Sequence, residues 1–339
     1  MAPRLGLATM GQPERMSISM NIRHHLGSSY EDVRDAVRLV ENLGFSGAYF
    51  PDHLLATRLS SPGSGDQRIV PRRDMTPSDC WTLIALLVPQ TQRLRLGTLM
   101  SSATFRHPSL LAIAVAQLNR VSGGRIALGL GTNWLRAEHE AFGFAFPSQR
   151  ERFDLLGDQL EVIKTLWNSA PSRSGEDRAS AYELVDPPRI DAGPDGRHAR
   201  LIVGGVGLVK TPRLAATFAD EVNATTAGGL DRLPIFLEAC DRACVSTGRD
   251  PSSLRRSVML WVCCGSDGNE IAARAKAAGV EVDQLETAGV LPCTPPQLVD
   301  RIGDLRSLGF DEVVLASRGP LDPDEIELIG TEVVPSAPA

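Results

Sequence analysis

Residues 94–139, LRLGTLMSSATFRHPSLLAIAVAQLNRVSGGRIALGLGTNWLRAEH, decide the fold of this chain. Two short β-like runs, Leu94–Thr98 and Arg125–Leu130, flank an amphipathic segment about one helix long. His107-Pro108 opens that segment and Ser122-Gly123-Gly124 closes it. Strand, crossover helix and strand form the unit of a parallel sheet. Each run ends in small or polar residues, Thr98–Ser102 after the first and Gly129–Asn133 after the second. Parallel sheets gather their chemistry at the carboxyl ends of their strands, so these two endings predict the floor of an active site.

Upstream, Met16–Ile22 reads as a first strand followed by the polar patch Arg23, His24 and His25. Ser29 begins a Ser-x-x-Asp capping box, and Val33, Val37, Val40 and Leu43 keep helical spacing up to Gly44. Phe45–Phe50 is a second strand that runs directly into Pro51-Asp52-His53. Residues 56–78 read as a loop, and Cys80–Pro89 as an apolar helix leading to the third strand, Leu94–Thr98. Downstream of strand four, Leu156, Leu160, Ile163 and Trp167 mark the buried stripe of a long helix. A polar stretch, 168–199, carries a short Tyr182–Val185 run and is long enough to be a lid or a small insertion. Further strands follow at Leu201–Val203, Glu221–Ala224, Ser257–Cys263 and Val313–Ala316, with helices over Leu233–Val245, Asn269–Ala278 and from Asp322 onward. Thr294-Pro295-Pro296-Gln297 caps one more helix, with Leu298, Ile302, Leu305 and Leu308 on its inner face.

Eight strands alternating with helices, with no break in composition, predict an α/β fold of the (β/α)8 barrel type. A doubly wound sheet is the rival; it calls for an early Gly-rich turn after the first strand, which is missing here. The expected organisation is a disordered tail over 1–14 and one barrel domain over 15–335, with insertions at about 56–78, 168–199 and 264–294. The 339 residues are 42% hydrophobic and 22% charged, which is ordinary globular composition. A net charge of −6 argues against nucleic acid or an acidic membrane as partner, and apolar runs such as Trp81–Val88 are too short to span a bilayer. With no secretory signal and six scattered cysteines, the expectation is a cytoplasmic protein. Cys240 and Cys244 fall four apart on a helix, but no histidine neighbours them, and buried single thiols are the expected reading rather than a metal site.

Several groups at the strand ends are able to do chemistry. His53 follows strand two beside Asp52, and an imidazole held by a carboxylate suits proton transfer near neutral pH; an ordinary surface contact fits the same residues. Gly204-Gly205-x-Gly207 lies between a strand and a helix, where it is either an anion-binding turn or simply a tight one. Thr132, Asn133 and Trp134 leave strand four, where Trp134 either lines a cleft for a ring or covers the barrel rim. Glu138 and His139, one turn further on, are equally readable as solvated surface.

Taken together, GFSGAYFPDH, RLRLGTLMSSATFRHP, SGGRIALGLGTNW, AEHEAFGFAFP, LIVGGVG…LAATFAD and CTPPQLVDRI resemble the luciferase-like flavin and deazaflavin oxidoreductases, in order and over most of the chain. TFRHP and AEHE look most like the members that use coenzyme F420. The resemblance implies a (β/α)8 barrel and hydride transfer between the deazaflavin C5 and a small organic carbonyl, imine or activated alkene. An FMN-dependent monooxygenase with a partner reductase is the alternative, and a flavin-binding protein without turnover a further one. It implies that Asp52 and His53 lie by the ring, with His53 donating a proton or orienting the substrate; position alone suggests Glu138 as a second catalytic group. Leu99–Met100 matches a non-prolyl cis peptide that props the ring. Ser102, Thr132 and Asn133 match cofactor-contact positions, and Gly204, Gly205 and Gly207 match the phosphate-binding turn. His24 and Trp134 are expected in the substrate pocket. Trp134 stands where the family's sugar-phosphate dehydrogenase carries a catalytic Glu, which implies a flatter, more apolar ligand. A homodimer is the expected assembly, with no nucleic-acid or membrane partner.

Overall fold

A computed structural model of the chain describes residues 15–59, 69–72, 74–167, 180–191, 193, 196–226 and 229–338. Its centre is a ring of parallel strands: β1 (Ser17–Asn21), β2 (Gly47–Phe50), β3 (Arg95–Thr98), β4 (Ile126–Gly131), β5 (Arg200–Gly204), β6 (Glu221–Thr225), β7 (Arg255–Cys264) and β8 (Glu312–Ser317). Each strand pairs with the next in chain order, and the ring closes where Ser17–Asn21 runs beside Glu312–Ala316. This is the closed (β/α)8 barrel that the alternation predicts.

Connecting helices pack outside the ring: α1 (Tyr30–Asn42), α2 (Cys80–Leu87), α3 (Pro108–Val121), α4 (Arg136–Phe142), α5 (Gln149–Leu166), α6 (Lys210–Phe218), α7 (Arg232–Ser246), α8 (Gly268–Ala277), α9 (Pro295–Ser307) and α10 (Pro323–Glu332). Local sequence explains their ends. Ser29 Oγ accepts the Asp32 amide at 3.1 Å, and Asp32 returns the bond to the Ser29 amide at 3.0 Å, closing the capping box of α1. Gln297 accepts the Thr294 amide at 2.9 Å in the same way at α9. Leu156, Leu160, Ile163 and Trp167 are buried, as their spacing requires, and burying each side chain is worth about 1.5–3 kcal/mol.

Close strand approach explains two of the glycines. A Cβ on Gly97 would lie 2.4 Å from the Ala127 carbonyl oxygen, and one on Gly129 would lie 2.2 Å from that of Thr98. Only glycine lets β3 and β4 meet there. Inside the ring, Tyr49, Leu99, Ala127, Ile202 and Val314 form an apolar plug, with Met100 and Met259 against it. Below the plug lies a charged floor. Arg200, Glu221, Arg255 and Glu312 are the first residues of four consecutive strands, β5 to β8. Arg200 meets Glu221 at 3.1 Å and Arg255 meets Glu312 at 3.2 Å, while Ser19 donates to Glu312 at 2.6 Å. Burial, and then the Glu312 charge, push the Glu221 carboxyl up to about 7.

Some expectations are corrected. The 56–78 loop contains an antiparallel pair, Ala56–Leu59 with Ile69–Arg72, and residues 60–68 lie outside the described ones. Tyr182–Val185 forms no strand. Leu308 is exposed, because it caps α9 where the helix turns away from the barrel. Helix α4, inserted after β4, carries no clear periodic signal in the sequence. The 264–294 insertion holds α8 and a short strand, Leu291–Cys293, paired to β7. The expected tail, 1–14, lies outside the described residues. Cys240 and Cys244 are buried thiols, and no metal-ligand cluster occurs among the described residues. No helix among them is long and apolar enough to cross a membrane.

Candidate active site

At the carboxyl ends of β2 to β4 the chain assembles a carboxylate–imidazole pair. β2 ends at Phe50, so Asp52 and His53 emerge at the barrel mouth. After β4, Asn133 adopts a left-handed backbone (φ 58°), and its Oδ1 accepts the Leu135 amide at 2.8 Å and also the Trp134 amide. Asparagine is among the few non-glycine residues suited to that conformation. The turn launches α4 and aims Glu138 back at β2.

Glu138 is fully buried and accepts three donors. They are His53 Nδ1 at 3.0 Å, the Leu54 amide at 3.0 Å and Asn133 Nδ2 at 2.9 Å. Burial acts to raise the carboxyl's pKa, but hydrogen bonds from His53, Asn133 and Leu54 outweigh it and hold Glu138 below the ordinary carboxylate range. An ionised carboxylate only accepts, so His53 carries its proton on Nδ1, and Nε2 is left for chemistry. Glu138, read as a second catalytic group or as surface, is buried, and both carboxylate oxygens are taken by these donors. Trp134, half exposed, stands edge-on to His53 with ring centroids 5.7 Å apart.

Asp52 does not contact His53 as a carboxylate brace. It is buried, pairs with Arg106, and its amide donates to the Met100 carbonyl at 3.4 Å. Arg106 also pairs with Asp79, the N-cap of α2, so one guanidinium ties β2, α2 and the segment after β3 together. Its place in the TFRHP motif was the only sequence signal for that role. The Leu99–Met100 peptide is cis, as the resemblance implies. Beside it the Met100 side chain occupies space that β4 and β5 leave open; a Cβ on Gly204 would lie 2.2 Å from Met100 Cε. Gly204 is therefore explained by packing, whereas a Cβ on Gly205 would lie 2.8 Å from Thr211 Oγ1, and Gly207 is less crowded.

Ser102 and Thr104 hydroxyls lie 2.6 Å apart, Thr104 Oγ1 lies 2.6 Å from His139 Nε2, and His139 Nδ1 lies 3.0 Å from the Leu135 carbonyl. Nδ1–H therefore donates to that carbonyl, and Nε2 accepts from Thr104. His139, read as possible surface, is fully buried and locks α4 to the segment after β3. Thr132 is half buried at the end of β4.

A second histidine pair borders the dyad. His24 and His25 are buried at the end of β1, and the His25 ring lies 5.6 Å from that of His53. Burial holds both below the usual imidazole range. Both ring nitrogens of His24, Nδ1 of His25 and Oδ1 of Asp52 are buried without a hydrogen-bond partner. Unpaired buried polar atoms cost about 1–3 kcal/mol each, so such a group of them suits a polar heterocyclic ligand.

Fold and site together define a (β/α)8 barrel with an oriented imidazole at the carboxyl ends of its strands. Residues 13–290 match the luciferase-like monooxygenase family, and the chain belongs to that family. It is 25% identical over 324 residues to an F420-dependent glucose-6-phosphate dehydrogenase of Nakamurella multipartita, covering 90% of this chain and 91% of that one. It superposes on an F420-dependent secondary alcohol dehydrogenase in complex with an F420-acetone adduct with a TM-score of 0.74 at 16% identity, covering 96% of this chain and all (100%) of that one. It also superposes on EDTA monooxygenase from Chelativorans sp. BNC1 with a TM-score of 0.71 at 18% identity, over 95% of this chain and 93% of that one.

Proposed function

We propose that this protein is an F420-dependent oxidoreductase acting on a small organic carbonyl, imine or activated alkene, or on the reduced form of one. The observation that carries the reading is the His53–Glu138 pair, 3.0 Å apart at the barrel mouth, beside the Leu99–Met100 cis peptide. The F420-dependent enzymes among its relatives support the choice of cofactor. The orphaned atoms of His24, His25 and Asp52 fit a heterocycle rich in ring N–H and carbonyl groups. Asp52, Leu99, Met100, Ser102 and Thr132 would hold the ring, and Gly205 and Gly207 the phosphate of the side chain. When bound, F420 supplies a two-electron donor or acceptor that gives or takes hydride at C5.

The chain's own part is protonic and geometric. Glu138 keeps His53 in the Nδ1–H form, with Nε2 facing the cleft. In the oxidising direction Nε2 would accept the hydroxyl proton of a bound alcohol. In the reducing direction the imidazolium returns a proton to the oxygen. Trp134 and the apolar plug below keep water from the reacting atoms.

Titration of purified protein with oxidised F420 and with FMN, read by tryptophan quenching, tests the reading. F420 binding in the micromolar range or tighter, with FMN much weaker, is expected. The reverse preference overturns the proposal in favour of an FMN-dependent monooxygenase.

A further inference from the structure

Across the barrel mouth from the glycine turn of β5, two arginines converge on one indole. Arg23 follows β1, Arg318 follows β8, and Trp261 lies in β7, which pairs with β8 on the side away from β1. The guanidinium carbons stand 5.3 Å and 5.0 Å from the Trp261 ring centroid. Arg23 donates to the Arg318 carbonyl at 2.8 Å and Arg318 to the Ala288 carbonyl at 2.6 Å. Arg318 Nε is buried with no hydrogen-bond partner.

Neither guanidinium forms an ion pair with a carboxylate among the described residues. Arg274, on the same rim, is tied to Asp322 at 2.9 Å and Glu270 at 3.1 Å. Arg125 has no carboxylate either, but it is saturated by the carbonyls of Val88, Thr91, Leu94 and Ser122. Arg23 and Arg318 are unsaturated, close together and partly desolvated. Burial, and then the Arg318 charge, lower the Arg23 pKa to about 10. Two like charges held together on an aromatic face are stabilised when an anion joins them. A cavity of about 220 Å³ opens beside Arg318; Arg274, Asp322 and Glu325 also line it, and neither Arg23, Trp261 nor a dyad residue borders it.

We infer that Arg23, Arg318 and Trp261 form a subsite for an anionic group, carboxylate or phosphate, carried by the substrate. Position separates it from the cofactor's own phosphate. In the ring of strands β8 neighbours β1 and β7, whereas β5, which carries the glycine turn, lies beyond β6 and β7. Position also connects it to the reaction, an inference that rests on the reading of His53 as the reacting end. Arg23 is two residues from His25, whose ring adjoins that of His53. The indole adds a flat surface, so the anion is expected on a ring or another planar group.

The test compares benzoate and phenyl phosphate with neutral benzamide, by tryptophan fluorescence of the full chain. The chain has four tryptophans, so Trp261→Phe identifies the reporting one. The anions are expected to bind about tenfold or more tighter than benzamide, the equivalent of one charge-assisted bond. Arg23→Gln and Arg318→Gln should each remove that preference, and the Lys variants should keep part of it. Inorganic phosphate should displace benzoate from the wild type, a measurement that needs no variant. Equal binding of benzoate and benzamide, or failure of phosphate to displace benzoate, overturns the inference. So does a loss of F420 affinity in step with anion affinity in the Gln variants, which would give the arginines to the cofactor. If the wild type does not bind F420, the cofactor reading fails, and the benzoate series still decides the subsite.

Discussion

Replacing Glu138 by Gln is the most informative single perturbation. In the wild type Oε1 takes His53 at 3.0 Å and Asn133 at 2.9 Å, while Oε2 takes the Leu54 amide at 3.0 Å. Gln has one oxygen. Placed at Oε1, it leaves its own N–H facing the Leu54 amide; placed at Oε2, it faces the Asn133 amide nitrogen. Asn133 has no easy flip, because its oxygen already accepts the Trp134 and Leu135 amides. One buried donor is left unpaired either way, at about 1–3 kcal/mol. Glu138→Ala removes every acceptor and should cost about 1–3 kcal/mol for each buried donor left unpaired.

The second consequence is tautomeric. With Gln turned so that its N–H faces Nδ1, His53 moves its proton to Nε2 and loses the acceptor that the cleft requires. Nitrogen-15 NMR of the histidine rings reads this directly and needs no substrate. The expected result is Nδ1–H in the wild type and Nε2–H in Glu138→Gln, with turnover reduced about 10²–10⁴-fold once a substrate is known. The sign of the pH effect follows from the depressed Glu138 carboxyl. Its stabilisation is present above the unfolded-state value and is lost as pH falls through the folded one, so the wild type should weaken more steeply in acid than Glu138→Gln. A Gln variant with wild-type stability and the wild-type His53 tautomer would refute the reasoning.

Other outcomes follow from the same contacts. Arg106→Ala strands the buried Asp52 and should cost about 3 kcal/mol in urea unfolding, while Asp79→Ala, at the exposed end of the bridge, should cost closer to the 1 kcal/mol or so of a lost cap. Equal losses would contradict the assignment of Asp52 as the stranded partner. Gly204→Ala should cost about 1–3 kcal/mol by overpacking Met100, and pairing it with Met100→Ala should recover part of the loss; strict additivity would mean that the two residues do not meet. Glu221, raised to about 7 by burial and by Glu312, holds its proton in the folded state above the pH at which the unfolded chain releases it. Stability from this group is complete in acid and declines as pH rises towards 7, so Glu221→Gln should gain on the wild type by roughly 1–3 kcal/mol between pH 5 and 8. Parallel stability profiles would exclude that account of the barrel floor.

The sequence by itself determined the strand–helix alternation, most of the caps and the delivery of Asp52 and His53 to the barrel mouth. Those features are local: Ser29 reaches Asp32, Gln297 reaches Thr294, and a strand that ends at Phe50 must deliver Asp52 and His53 to the mouth. Resemblance added the Leu99–Met100 cis peptide, which periodicity does not encode. Only the tertiary structure decided which carboxylate serves which cation. Asp52, adjacent to His53 in the chain, turns to Arg106, while Glu138, 85 residues away, orients the imidazole. The same is true of the charged floor, where Arg200, Glu221, Arg255 and Glu312 look like solvated strand starts until the ring closes and buries both carboxylates. Arg23 and Arg318 stand at opposite ends of the chain and meet because β1 pairs with β8. The reason is physical. A charge finds its partner through space, and a closed barrel makes neighbours of residues that no local pattern connects.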